Sequence, residues 1–391
     1  MISLTTADNA LKNMYLGVVA NQLNTNVNPF LASLQHSTTS VVGKQVEKLV
    51  AVAFSGGIGA GTETGGLPNS SENGYLTLKT SLKNLYGKIE LTDKAIRASS
   101  SDKGAFVNLL ESEMQGLIEA GKFNMSRMAL GNGSGLLCTI SSATKNTATM
   151  TVDSVNNLMI GMAVDVYVDG TIASAMSGAR IIDWNIPNKT ITLSIAFSET
   201  WNNNKTYTMY AHNSKDKELT GLGAIFDNNI TSLYGNTKSS TKYLQGRLVS
   251  KTSNQYTEGV LIDEIDKQSV YYGSNPNMIL MSYDMRQKYI SLLLNTRINT
   301  DVVNVAGGFT AVSVNGVPMI ADRFVEEGSM YIINTNLFEI HELCDWEWLS
   351  NDKGQILRQK EGYPVHTATL VKYADLICDK PCAVTKCITS A

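Results

Sequence analysis

The stretch Phe54-Ser-Gly-Gly-Ile-Gly-Ala-Gly-Thr-Glu-Thr-Gly-Gly66 is the first place in the chain where chemistry could sit, because glycine-rich loops cradle phosphates. The spacing refuses that reading. Gly57-Ile58-Gly59 is followed three residues later by Thr62, and no Gly-Lys-Ser/Thr comes after it. Histidine is scarce, at His36, His212, His341 and His366. His341-Glu342-Leu343-Cys344-Asp345 lacks the second histidine one helical turn on that a zinc-protease site needs. Cys378, Cys382 and Cys387 form the tightest thiol cluster, but the gaps are not Cys-x2-Cys and no fourth ligand stands nearby. They read as terminal-strand cysteines. Ser134 has Asn132 where a nucleophile elbow needs glycine. Asp263, Glu264 and Asp266 share a predicted helix and read as a solvated face. Trp346 and Trp348 alternate with Asp345 and Glu347, so on a strand both rings share one face, as core or subunit interface. No catalytic constellation, cofactor site or metal site emerges.

The elements that would position any site are clearer. The chain has 391 residues, 43% of them hydrophobic, enough for two or three domains and a sizeable core. Charged residues make up only 17% and the net charge is −3, which lacks the basic balance of a chain that grips nucleic acid by its phosphates. No run of about 18 apolar residues suggests a membrane helix. The N-terminus has no basic n-region, so no signal peptide is expected. Five cysteines, four of them beyond position 340, do not make a disulfide framework.

Leu11, Met14, Tyr15, Val18 and Val19 recur at helical spacing behind a Thr6 cap. The glycine-rich loop lacks side chains to pack. Downstream, Leu76, Leu78, Thr80 and Leu82 alternate with polar residues, then the phase flips near Asn84 to Leu85, Ile89 and Leu91. The flip predicts a bulge or bend within one long strand pair, a hairpin arm with a glycine-rich tip. A helix over 102–129 carries the stripe Phe106, Leu109, Leu110, Met114, Leu117, Ile118, Gly121, Met125. Ser101 or Asp102 can cap it, and Gly131-Asn132-Gly133-Ser134-Gly135 stops it. At about 1.5 Å per residue it is a spine roughly 40 Å long. Residues 138–212 alternate in short runs between turn pairs, which predicts a small all-β domain. Beyond Lys217, helices are expected at 258–272 and 284–295. Strands are expected at 278–281, 311–314, 317–320, 330–334, 337–343 and 366–373, with Asn315-Gly316 as a two-residue hairpin turn.

The order of these pieces resembles the major capsid proteins of tailed bacteriophages, the Hong Kong ninety-seven-type shell fold. Local stretches carry the likeness in sequence order. Asn28-Pro29-Phe30-Leu31 with Val42-Gly43-Lys44 is similar to the family's lead-in to its extended loop. Ser55–Gly59 with Leu67-Pro68 is similar to the loop tip, and Lys83–Leu91 to its return. Gly104-Ala105-Phe106 and Glu111–Met114 resemble the spine helix, and Gly131–Gly135 the turn after it. Gly316-Val317-Pro318-Met319-Ile320-Ala321-Asp322 resembles a later strand-to-loop stretch. In the family the glycine turn runs quickly into a Leu-Thr-Gly-Leu-like segment. Here that segment is Leu219-Thr220-Gly221-Leu222, so the β block is an insertion whose ends should lie close together.

The resemblance implies an α+β capsid-type fold with an N-terminal arm (1–45), an extended loop (46–92) and a peripheral domain with the spine helix (93–137). An inserted all-β domain (138–213), an axial α/β domain (214–345), and a peripheral return strand with C-terminal tail (346–391) would follow. It implies a structural, non-enzymatic subunit that assembles into hexamers and pentamers of an icosahedral shell around packaged DNA, in the virion, built in the bacterial host cytoplasm. Expected partners are further copies, a separate scaffolding protein, a portal and a decoration protein, with no membrane and no sequence-specific hold on DNA. Candidate subunit contacts are Pro29, Phe30, Phe54, Ile58, Gly59, Leu67, Pro68, Tyr75, Leu78, Lys79 and Lys83. The rival reading is a surface-array or adhesin protein that binds glycans through the β insert.

Overall fold

The computed structural model describes residues 28–66, 68–70, 72–94, 103–173, 176–252, 255–296, 302–305, 309–350 and 356–389. The N-terminal helix expected around Leu11–Val19 and the Ser101/Asp102 cap lie outside the described residues.

Helix α1 (Pro29–Ala32) is a single turn capped by Asn28, whose Oδ1 accepts from Leu31 N at 2.8 Å. Helix α2 (Lys103–Leu130) is the expected spine, about 42 Å long at the standard rise. Met114, Ile118 and Met125 bury its inner face, while the side chains of residues 103–111 lie outside the described set. Helices α3 (Glu258–Tyr272) and α4 (Tyr283–Thr296) complete the longer helices among the described residues. Gly273 ends α3 in the left-handed region, the usual glycine stop.

The spine lies on a sheet made of β5 (Lys83–Thr92), β23 (Val365–Cys378), β21 (Phe338–Trp348), β22 (Arg358–Gln359) and β1 (Gln35–Ser37). Leu85, Ile89 and Leu91 point into the main core from β5, and Gly87 lets the strand approach α2: a Cβ there would sit 2.9 Å from Leu117 Cδ1. Trp346 and Trp348 are both buried in the same core.

A second, seven-stranded sheet runs β15 (Arg247–Lys251), β24 (Thr385–Thr389), β20 (Ser329–Ile333), β16 (Met278–Met281), β19 (Val317–Ala321), β18 (Phe309–Val314), β17 (Val302–Val305). All of β16 is buried, and its period of two explains why. Ile279 and Met281 face α3 and α4 through Leu261, Ile265, Met285 and Tyr289, while Met278 and Leu280 join the main core. Asn315 and Gly316 turn the β18–β19 hairpin with φ of 50° and 78°, as their types require. A small hairpin of β13 (Ser232–Leu233) and β14 (Asn236–Thr237) forms its own two-stranded sheet and packs Leu233 and Tyr234 into the main core.

The insertion is a ring. Strands β10 (Ala179–Asn185), β11 (Thr190–Leu193), β7 (Thr149–Val152), β6 (Leu136–Ala143), β12 (Tyr207–Ala211) and β8 (Ala163–Val168) pair in that order, and β8 pairs back to β10. Strand β9 (Thr171–Ile172) adds a short hairpin on β8. Closure removes free edges, so the barrel carries its own core of residues such as Leu158, Val164, Val166, Ile191, Phe197 and Met209. Its first and last strands are neighbours, with Cys138 opposite Met209, which brings the two ends together.

Where the chain leaves and rejoins the body, packing is tight. Gly133 and Gly135 adopt φ of 86° and 77°, and a Cβ on Gly135 would stand 2.7 Å from Ser214 O on the returning chain after β12. Arg127, in the last turn of α2, donates to both Glu218 carboxylate oxygens at 2.8 and 2.6 Å. Both side chains are buried. Gly221 presses against the C-terminal carbonyls of α2, where a Cβ would meet Met128 O, Gly131 O and Ala129 O at 2.4–2.6 Å. From the axial side, Arg323 clasps the barrel: it donates to the carbonyls of Asn156 and Leu158 at 2.7 Å and lies over the rings of Phe123 and Trp184.

Three expectations need correction. Strand β5 does not continue the arm. It pairs over its whole length with β23, because the phase flip turns Leu85, Ile89 and Leu91 toward the spine, so the flip marks a change of sheet and the arm ends at Ser81. The expected division at 345/346 falls inside β21, an eleven-residue strand that belongs wholly to the spine-side sheet. The C-terminal segment is no free tail: β24 lies between β15 and β20 in the axial sheet.

Gly221→Ala should lower unfolding stability by about 1–3 kcal/mol through overpacking, read by urea denaturation. Arg127→Met leaves Glu218 buried without a partner and should cost about 3–5 kcal/mol, whereas Arg127→Met with Glu218→Leu should recover most of the loss.

Candidate functional site

Strands β3 (Gln45–Ala53) and β4 (Gly74–Ser81) pair antiparallel, with β2 (Val41–Val42) at the base, to form a narrow ribbon that leaves the body. At about 3.3 Å per residue the ribbon carries residue 58 up to roughly 30 Å beyond Lys48. Its two ends differ. Val46 and Leu78 at the root are fully enclosed, and Val50 is buried beside them. Leu49, on the other face of β3, is exposed, and farther out so is Tyr75, while Phe54 is 83% exposed and Ile58 97%.

The root is held by groups that are distant in sequence. Lys48 Nζ donates to Glu339 Oε2 at 2.6 Å and meets Asp379 Oδ1 at 2.8 Å. Burial opposes the ammonium, but the bonds to Asp379 and Glu339 outweigh it and hold the Lys48 pKa above its ordinary value. Glu339 shows the converse: burial pushes its carboxyl up, and Lys48 more than reverses this, leaving it below the usual range. On β4, Thr80 Oγ1 donates to Asp375 Oδ2 at 2.5 Å. The same carboxylate accepts from Thr220 N at 2.7 Å, Thr220 Oγ1 at 3.0 Å and Leu376 N at 2.9 Å. Burial raises the Asp375 carboxyl pKa, against the pull of these donors. Thus one enclosed side chain ties the ribbon, the Leu-Thr-Gly-Leu segment and β23 together. The outer edge of β4 is braced as well, with Lys79 N bonded to Tyr234 O and Asn236 Nδ2 to Thr77 O.

The tip has far less. Ser55 N donates to Asn73 Oδ1 at 2.7 Å, and Gly57 and Gly59 lie close against Ser70 and Pro68. Side chains at those glycines would crowd the opposing strand, which is why the two halves of the tip can run so close.

The sequence candidates divide accordingly. Phe54, Ile58, Gly59, Pro68 and Tyr75 are on the projecting part, whereas Lys79 is half-exposed at the root between Leu78 and Thr80, paired across the strands with Glu47 at 2.9 Å. Leu67 lies outside the described residues. Pro29, Phe30 and Leu78 are buried in the chain's own core, where Phe30 packs edge-on against Phe338, so they anchor the ribbon's surroundings and leave the contact surface to others. Lys83 belongs to β5 in the body. Lys48, Thr80, Asp375 and Tyr234 escaped the sequence reading, since each finds its partner across a large separation and none stands in a local motif.

Among the described residues no group of three or more His, Cys, Asp or Glu is placed to hold a metal ion, and no helix is long and apolar enough to cross a membrane. The five cysteines are free thiols.

No family model and no curated protein matches this sequence. Solved structures do match the fold. The cyanophage A-1(L) capsid asymmetric unit aligns with a TM-score of 0.53 at 12% identity over 92% of each chain. Weaker likenesses include the holo-SrpI encapsulin complex of Synechococcus elongatus PCC 7942, at 0.48 and 10% identity over 95% of this chain and 94% of that one. Mycobacterium phage Bobi aligns at 0.46 and 11% identity over 100% and 99%. The α+β architecture expected from the sequence, with its ribbon, spine and axial sheet, is therefore the capsid-type fold.

The Lys48 clasp should set a pH window. The lowered Glu339 pKa gives stability that is present above 4.5 and lost as pH falls through the folded value. The raised Lys48 pKa gives stability present below 10.5 and lost as pH rises through the folded value. Lys48→Met should therefore cost about 1–2 kcal/mol between those limits, given the partial exposure, with the difference from the parent shrinking in acid. Denaturant unfolding across pH checks this.

Proposed function

We propose that this chain is the major structural subunit of a tailed-phage-type icosahedral shell, assembling into hexamers and pentamers around packaged double-stranded DNA. The observation that carries the proposal is the ribbon: anchored by buried groups at its root, it displays Phe54 and Ile58 at its far end, exposed and outside the core of the described residues. Single apolar side chains on a surface mean little, but here they sit at the end of an arm that the body takes trouble to aim. A neighbouring copy is the natural cover, and many weak contacts repeated around a ring add up through multivalency. The capsid-type fold supports the same reading, because the cyanophage structure is itself a capsid asymmetric unit.

On this reading the chain does structural work and no catalysis, and it resides in the virion after assembly in the host cytoplasm. The six outlines drawn from the sequence, with the corrected limits at 81 and within β21, serve as its working parts. A scaffolding protein, a portal and a decoration protein are its expected associates, and the DNA is enclosed without base readout. A net charge of −3 suits a wall that has no need to grip the polymer it encloses.

Expressed with its scaffold, the protein should form closed particles visible by negative-stain microscopy. Phe54→Asp with Ile58→Asp should abolish particles while leaving subunit unfolding stability within about 0.5 kcal/mol of the parent, since both positions are exposed. A chain that stays monomeric at high concentration with scaffold present would refute the proposal.

A further inference from the structure

His341, on β21, is fully enclosed, and neither of its ring nitrogens is hydrogen-bonded to a described residue. Its Nε2 lies 3.3 Å from Glu339 Oε2, off the line of a hydrogen bond. That oxygen is the one that accepts from Lys48 Nζ at 2.6 Å. On the neighbouring strands His341 is level with Asp375 of β23 and with Ser37 of β1. The imidazole therefore sits in register between the two grips on the ribbon root, the Lys48 clasp on Glu339 and the Asp375 carboxylate. Enclosed polar atoms with unmade bonds are costly, and an apolar side chain would fill the same space without that cost.

The charges that act on the ring come from several segments. Burial opposes the imidazolium most, and Lys48 from β3 opposes it too. Glu339 on its own strand and Asp379 beyond β23 favour it, but the balance holds the His341 pKa below its ordinary 6.5. Across the strands, Asp375 takes its hydrogen bonds from Thr80 and Thr220. On β1, Ser37 brings no charge, and His36 is turned to Glu342 at 3.1 Å. The sign follows from these directions. Above 6.5 the ring is neutral whether the root is closed or open. As pH falls below 6.5, an open root takes up a proton that the closed root resists, so the closed state loses stability until the folded value is passed. Glu339 keeps its charge to below 4.5, which leaves His341 to act first.

We propose that His341 is a proton-operated latch on the ribbon: neutral, it leaves Glu339 to Lys48; protonated, it competes for the same oxygen, sets a second cation beside the Lys48 ammonium and loosens the root while the body stays folded. Mild acid then frees the ribbon to change direction, and neutral pH resets it. The latch works within one chain, so it stands or falls apart from the shell-subunit reading.

Hydrogen–deuterium exchange of the full-length, unassembled chain reads the latch, with exchange times at pH 7.5 and pH 5.5 scaled for the intrinsic rate. Peptides covering 45–50 and 77–81 should lose protection about tenfold at pH 5.5, while the axial strand 278–281 keeps its own. His341→Leu and His341→Gln carry no proton at either pH, so each should remove the acid response. His36→Gln should retain it. Unchanged protection of the root in the parent, a response that survives in the His341 variants, or one that disappears in His36→Gln overturns the latch. So does equal loosening of 278–281, which would mark acid unfolding of the body.

Discussion

A two-stranded ribbon cannot hold a direction by itself. Beyond its root both of its outer edges are open, and a lone hairpin is marginally stable in water. Everything distinctive about this molecule follows from how the root of one ribbon is gripped. Asp375 is the centre of that grip, an enclosed carboxylate that takes hydrogen bonds from the ribbon, from the segment after the barrel and from its own strand. Placing such a group away from water is expensive unless its oxygens are satisfied, and here four donors satisfy them. The arrangement fixes three chain segments at one point, and the Lys48 clasp fixes the ribbon's orientation a few residues farther out.

The second organising constraint is the junction of spine and barrel. The spine ends in carbonyls that need partners or close cover. Gly131 O accepts from Gly223 N, and Gly221 fits against the remaining carbonyls only because it has no side chain. The Arg127–Glu218 pair closes the same corner. A chain that departs for an entire domain and returns to within hydrogen-bonding distance of its departure point needs such a corner, and glycines with positive φ make the crossing possible.

Much of this was legible in the residues. The spine, α3, β16 and the Asn315-Gly316 hairpin follow from periodicity and turn chemistry that act within a few residues. The barrel strands were visible because turn pairs such as Asp169-Gly170 break a clean alternation. The sheet change at Leu82 was misread, because a phase flip looks the same in sequence whether a strand bends or leaves for another sheet. Only the distant partner, β23, decides it. The short strand β1 and the place of the C-terminal β24 in the axial sheet escaped for the same reason: their parallel neighbours lie far along the chain. The projecting tip was foreseen from Phe54 to Pro68, whereas the burial of Phe30 and Leu78 depends on what packs over them.

The ring closure of the barrel has a consequence of another kind. A module with no open edge, whose two termini emerge side by side, is indifferent to what it is attached to. Such a unit can gain or lose loops at the end opposite the junction, between β6 and β7 for example, without disturbing the lattice that carries it. The exposed turn at Thr144 to Thr147 is thus a natural place to splice in a foreign peptide, displayed once for every copy of the chain.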